Sequence, residues 1–219
     1  MARSFNHTYT KNDEMYTPKK LVDIIVPYVQ RYSHHLAMYL LTCGFTGDKP
    51  YSYFPELIKN GKENSITTIW CPFDTENSEF VRTFKGMGYN VVHSHIDEGK
   101  DFFEYEPESW NIAISNPPFS KKDLVIERLL KFGKPFAMVM NMMVINYQCT
   151  GELLVGKGVQ ALVPDKKVSF DGHTSSFCSG YLCHDILPEG LVFCHMEDNN
   201  SGSSFVPAYE YTLKHGGLK

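Results

Sequence analysis

Asn116-Pro117-Pro118-Phe119 is the stretch of this chain whose residue types converge on one kind of chemistry. Proline has no backbone N–H and a fixed φ, so two in succession freeze the chain into a rigid corner. The Asn116 side-chain oxygen and the Pro117 carbonyl are then two acceptors on one corner, and no N–H at Pro118 competes for the second. Such a pair suits a donor carrying two protons, namely an exocyclic amino group. An aromatic amine is a poor nucleophile because its lone pair is delocalised into the ring. Accepting both of its protons favours a pyramidal nitrogen and localises that pair for attack, which is electrostatic preorganisation and needs no strong base. Phe119 adds a flat face on which a base can stack, worth about 1–3 kcal/mol. The bare tetrapeptide also reads as a tight turn, and its position in the chain is what favours chemistry.

That position is the end of a strand. "NIAIS" is an aliphatic run broken abruptly by the prolines. On either side of it the chain alternates: "SITTIWCPF" reads as a strand and "NSEFVRTFKGMG" as a helix closed by glycine. "YNVVHSH" is a strand, "KKDLVIERLLKFG" a helix and "PFAMVMNM" a strand. Upstream, Pro18 stands at a helix start with Leu21, Ile24, Ile25 and Val29 at helical spacing, and 34–43 is a second apolar segment. Residues 44–65 read as a loop-rich connection with a short helix near Phe54–Asn60. The chain from 158 to 196 is strand-rich, with turns at Asp171-Gly172 and Pro188-Glu189-Gly190. Strands alternating with helices imply right-handed crossovers and a mainly parallel sheet, and the late strands imply an antiparallel edge. In such a sheet ligands bind beyond the carboxyl ends of the strands. The chemically unusual strand ends are "CPFD" at 71–74, "HSHIDEGKDFF" at 93–103 and "SNPPF" at 115–119.

Composition bounds what else the chain can be. At 219 residues, 42 % hydrophobic and 14 % aromatic, it suits one globular domain that needs no staples. No apolar run is long enough to span a bilayer and the N-terminus lacks the apolar stretch of a secretory signal, so a cytoplasmic setting without membrane contact is the default expectation. The six cysteines are too scattered for a disulfide framework. Cys178, Cys183, His184, Cys194 and His195 lack the tight knuckles that zinc requires, so no metal is expected and buried thiols and strand histidines are the better reading. With a net charge of −4, binding to nucleic acid must come from local charge such as Lys121-Lys122 and Lys166-Lys167, although lysine pairs are more often just solvated surface.

From Glu14 to Met196 the sequence resembles the S-adenosylmethionine-dependent amino-methyltransferases, and looks closest to the small adenine-N6 DNA methyltransferases of phages and mobile elements. The family signature, Asp/Asn/Ser-Pro-Pro-aromatic, is matched by Asn116, Pro117, Pro118 and Phe119. The resemblance implies a Rossmann-like class I methyltransferase fold: a mainly parallel α/β sheet with an antiparallel hairpin at its C-terminal end. One such domain would span 14–198, with a flexible 1–13 and a polar tail at 199–219.

Residue by residue, the resemblance places Tyr16, Thr17 and Pro18 near the methionine end of the cofactor. Cys71, Pro72, Phe73 and Asp74 occupy the place of its glycine-rich loop, with Asp74 meeting the ammonium, although Thr75, Glu76 and Asn77 stand where glycines are expected. His95 falls where an acid for the ribose is usual. Asp101 would accept from the cofactor's amino group while Phe102 or Phe103 packs on its ring. Lys121 and Lys122 on the catalytic rim, with Lys166 and Lys167 on the opposite wall, would meet phosphates. The loop 169–177 is the candidate substrate reader. The implied substrate is DNA, flipped out of a duplex or single-stranded. The later segments leave little room for a recognition insertion, which implies low sequence specificity or reliance on a protein partner. RNA adenine methylation, and a non-catalytic member that binds nucleic acid or a host protein, remain the alternatives.

Overall fold

A computed structural model describes residues 17–43, 53–170, 173–174 and 178–196; the expectations for 1–13, Tyr16, 199–219 and most of the 169–177 loop lie outside the described residues. The helices are α1 (Lys19–Thr42), α2 (Tyr53–Lys59), α3 (Glu79–Gly86), α4 (Lys122–Phe132) and α5 (Gln148–Leu154). The first strands are β1 (Thr68–Cys71), β2 (Asn90–His93), β3 (Ile112–Ser115) and β4 (Phe136–Asn141). They are followed by β5 (Val159–Pro164), β6 (Ser169–Phe170), β7 (His173–Thr174), β8 (Ser179–His184) and β9 (Leu191–Cys194).

The main sheet has seven strands in the order β2-β1-β3-β4-β8-β5-β9, and β6 and β7 form a separate two-residue ladder. Strands β2, β1, β3 and β4 run parallel, β8 runs antiparallel to both β4 and β5, and β9 is parallel to β5. This is the Rossmann-like, mainly parallel α/β class with an antiparallel pair towards the C-terminus. The antiparallel strand nevertheless sits inside the sheet, and the edge is the parallel β9, which corrects the expected antiparallel edge.

Side chains alternate between two cores, as the period of a strand requires. Ile69, Cys71, Ile112, Ile114, Ala137, Val139 and Tyr181 pack on one face with Leu21 and Ile25 of α1 and Phe80 and Phe84 of α3. Trp70, Ala113, Phe136, Met138 and Leu182 pack on the other with Val125, Ile126 and Leu129 of α4. Helices therefore cover both faces, which is why the central strand β3 is buried along its whole length. The two apolar segments expected before residue 44 are one helix, α1, with Pro27 inside it. Its start is fixed to the sheet by the Tyr181 hydroxyl, which donates to the Leu21 carbonyl at 2.7 Å. No described helix is long and apolar enough to cross a membrane.

Candidate active site at the split between β1 and β3

The chain passes from β1 to β2 on one side and then crosses back over β1 to β3 on the other. That reversal is a topological switch point, and it opens a crevice beyond the carboxyl ends of β1 and β3. The ladders show where the crevice begins. β1 pairs with β3 only at Ile69↔Ile112 and Trp70↔Ala113. Beyond those pairs β1 stays with β2 to Cys71↔His93, while β3 stays with β4 to Ser115↔Met138. The segments that emerge on the two lips are the 72–78 loop and the Asn116–Phe119 corner.

The corner lies one residue past the last ladder pair of β3. Pro117 and Pro118 are buried, Asn116 and Phe119 half-buried, and Phe119 opens the single 3-10 turn Phe119–Lys121. All described peptide bonds are trans, and Pro118 takes φ −61° and ψ 126°. The Asn116 side-chain oxygen is shielded from solvent. Local sequence alone produces this shape, because prolines cannot continue the ladder and fix an extended exit.

Across the crevice, Asp74 is buried, with 7 % of its surface exposed. Its carboxylate accepts from the Ser115 hydroxyl, and that same oxygen accepts the Phe73 N–H at 3.3 Å. Burial pushes the Asp74 carboxyl up from 3.8 to about 6, against the opposing pull of hydrogen bonds from Ser115 and Ser78 and of the nearby His95 and His93. The loop stays ordered without glycine through a local turn: Thr75 N–H donates to Ser78 Oγ at 2.9 Å, and Ser78 N–H to the Thr75 carbonyl at 3.0 Å. Glu76, one of the residues in a glycine's place, is pinned to Lys85 at 2.6 Å and to His93 at 3.0 Å. Cys71 and Pro72 lie in the core, and burial pushes the Cys71 thiol well above its ordinary value.

The remaining expected residues fall into place unevenly. His95 follows β2, is buried and caps the 3-10 turn Ile96–Glu98, its Nδ1 accepting the Asp97 N–H at 3.2 Å. Asp101 Oδ1 accepts the Phe103 N–H at 3.0 Å and so shapes the turn that carries both phenylalanines. Phe102 is a core residue, 1 % exposed, with its ring 4.7 Å from Phe73 and 5.5 Å from Trp70. Its half-buried neighbour Phe103 is the ring that keeps open surface. Thr17 and Pro18 stand at the start of α1, which is anchored to β8.

Lys121 and Lys122 are half-buried and folded onto aromatic rings: the Lys121 ammonium lies 5.7 Å from the Phe103 centroid and that of Lys122 4.9 Å from Tyr147. A shallow hollow of about 530 Å³ beside them is lined by Lys122, Tyr147, Gln148, Cys149 and Glu152. Lys166 and Lys167 are exposed just beyond β5, which runs in the same direction as β4. Both lysine pairs therefore sit at the carboxyl edge of the sheet.

Sequence reasoning missed Ser115, which joins the lips, and Ser94, which accepts from Trp70 Nε1 at 3.0 Å under the same loop. The available signal was Asp74 itself, since a carboxylate placed right after a buried strand must find donors.

No protein-family model matches the chain. No curated protein sequence matches it either. Among solved structures it is similar to the type I restriction-modification system methyltransferase subunit from Streptococcus thermophilus, at 12 % identity and a TM-score of 0.44, over 92 % of this chain and 52 % of that one. A second similarity is to the protein-(glutamine-N5) methyltransferase, release factor-specific, from Alicyclobacillus acidocaldarius, at 10 % identity and a TM-score of 0.26, over 54 % of this chain and 79 % of that one. The chain thus spans about half the length of the restriction-modification subunit. At these scores the overlap is loose, and a substrate has to be read from the chemistry of the site.

Proposed function

We propose that the chain is a methyltransferase that uses S-adenosylmethionine to methylate adenine N6 in DNA, with low sequence specificity. The observation that carries this is the Asn116-Pro117-Pro118-Phe119 corner at the carboxyl end of β3, on one lip of the switch-point crevice. Asn116 and the Pro117 carbonyl would take the two protons of the amine, and Phe119 would stack on the base. A nucleophile prepared in this way needs no general base in the attacking step.

The opposite lip fits a cationic nucleoside. Phe73 and Phe103 are half-buried and retain ring surface, Asp97 and Asp101 bring carboxylates that can accept from hydroxyl or amino groups, and Asp74 supplies negative charge beneath the loop. The bound cofactor supplies an electrophilic methyl group on sulfonium. The chain's own part is to hold the amine in line with that carbon, and positioning of this kind contributes much of the acceleration. The lysine pairs at the same edge would hold phosphates without reading sequence. The substrate class is tested by nucleoside mass spectrometry on matched DNA and RNA oligonucleotides after incubation with cofactor. N6-methyladenine in the DNA supports the proposal, and methylation confined to the RNA replaces DNA with RNA as the substrate.

One observation favours a second reading, a non-catalytic protein that binds nucleic acid or a host protein. Thr75, Glu76 and Asn77 replace glycines, and the Asp74 carboxylate is engaged by the protein's own hydroxyls rather than open to a ligand. Calorimetry with S-adenosylmethionine discriminates between the readings, since the first requires binding and no detectable binding favours the second.

A further inference from the structure

The sheet splits where the proposed chemistry occurs. After Trp70↔Ala113 no ladder pair joins β1 to β3, so the two lips could move apart independently. The Ser115 side chain spans the gap. Ser115, the last residue of β3 and the neighbour of Asn116, accepts the Phe73 N–H from the opposite loop and gives its own proton to Asp74. A serine hydroxyl has one proton, so this arrangement fixes its rotor and uses it fully. Ser115 is fully buried and Asp74 nearly so, which makes the link strong and costly to break.

We propose that Asp74 is a positioning residue of the corner: through the Ser115 hydroxyl its carboxylate sets where Asn116 stands, and couples the 72–78 loop to the amine-binding lip. The proposal rests on the methyl-transfer reading of the corner. In the ionised state Asp74 can only accept, so Ser115 donates to it and offers a lone pair to Phe73. Protonation gives Asp74 a donor of its own and lets the bond reverse, which releases the Ser115 rotor and loosens the lip.

The groups facing Asp74 are Ser78 at the start of α3, Ser115 on β3, His93 on β2 and His95 just after it. Cys71 on β1 and Tyr181 on β8 complete the set; burial is the main cause that raises both, and the nearby carboxylate adds to it. Against its burial, the hydroxyls of Ser115 and Ser78 and then the two histidines favour the ionised carboxylate.

The test is an amide titration of the full-length chain labelled with 15N, followed between pH 4.5 and 8. In the wild type the Phe73 and Asn116 amides are expected to shift together with one midpoint near 6. Asp74→Asn should abolish that midpoint at both positions, and Ser115→Ala should abolish it at Asn116 while leaving it at Phe73. A midpoint at Asn116 that persists in Asp74→Asn belongs to His93 or His95 and overturns the proposal, as does an Asn116 amide indifferent to pH.

Kinetics give a second readout. Ser115→Ala should lower kcat by about tenfold to a hundredfold, the scale for a reacting group displaced by about 1 Å, with KM for the oligonucleotide unchanged. Ser115→Thr, which keeps the hydroxyl, should restore most of it. An unchanged kcat with a raised KM overturns the positioning role. If the wild type transfers no methyl to any substrate, the methyl-transfer reading falls, and the amide titration still decides whether Asp74 governs Asn116.

Discussion

Replacing Asp74 by asparagine should make the protein more stable at neutral pH. Its carboxyl is raised from 3.8 to about 6, chiefly by burial, so ionisation works against the folded state. The sign follows from proton counting. Well below pH 3.8 the group is protonated in folded and unfolded chains alike and contributes nothing. Between there and pH 6 the folded chain holds a proton that the unfolded chain has lost, so stability falls as pH rises. Above 6 the loss is complete. A shift of about two units at about 1.4 kcal/mol each amounts to about 3 kcal/mol. Asparagine keeps an oxygen to accept from Ser115 and carries no charge. The assay is urea unfolding of wild type and Asp74→Asn at matched pH values from 4 to 8, read by the fluorescence of Trp70 and Trp110. Subtracting the two curves cancels every other titrating group. The advantage of the variant should grow by about 2.5 kcal/mol between pH 4 and pH 8, the rest of the shift being expressed below pH 4. A flat difference, or one that shrinks as pH rises, refutes the claim that Asp74 is held against its own ionisation.

Asn116→Ala should abolish methyl transfer while S-adenosylmethionine affinity, measured by calorimetry, stays near wild type, because the proposed mechanism gives Asn116 to the amine and not to the cofactor. Removing Lys122, or Lys166 with Lys167, should weaken nucleic-acid binding equally across sequences and reduce the slope of log K against log salt by about 1 per lysine. Gly180→Ala should destabilise by about 1–3 kcal/mol in urea unfolding. A Cβ there would stand 2.6 Å from the Leu162 carbonyl oxygen and 2.9 Å from Met142 Sδ, and backbone cannot yield as a side chain can.

Legibility from sequence followed the range of the interactions involved. The β1–β2 and β3–β4 crossovers could be read because Ile112-Ala113-Ile114 and the apolar face of α4 are local patterns, and each carries its own periodicity. Helix α1 was divided because the polar Ser33-His34-His35 run looks like a break. In the fold Ser33 is buried and its hydroxyl bonds back to the Val29 carbonyl at 3.0 Å, so the helix passes through. Helix α5 went unseen because Gln148–Leu154 is short and bears few apolar residues. The interior place of β8 could not be read at all, since a strand's neighbours are chosen by packing against distant residues. At the site the same division holds. The Asn116–Phe119 corner is four consecutive residues and announces itself, whereas the Asp74–Ser115 bond joins residues 41 apart and exists only once the sheet has formed.

The most direct test of the central claim is label transfer from S-adenosylmethionine to a panel of single- and double-stranded DNA and RNA, run on wild type and Asn116→Ala side by side. The account predicts label on adenine in DNA with the wild type and none with the variant. Label that survives the loss of Asn116, or no label on any substrate with the wild type, would contradict it.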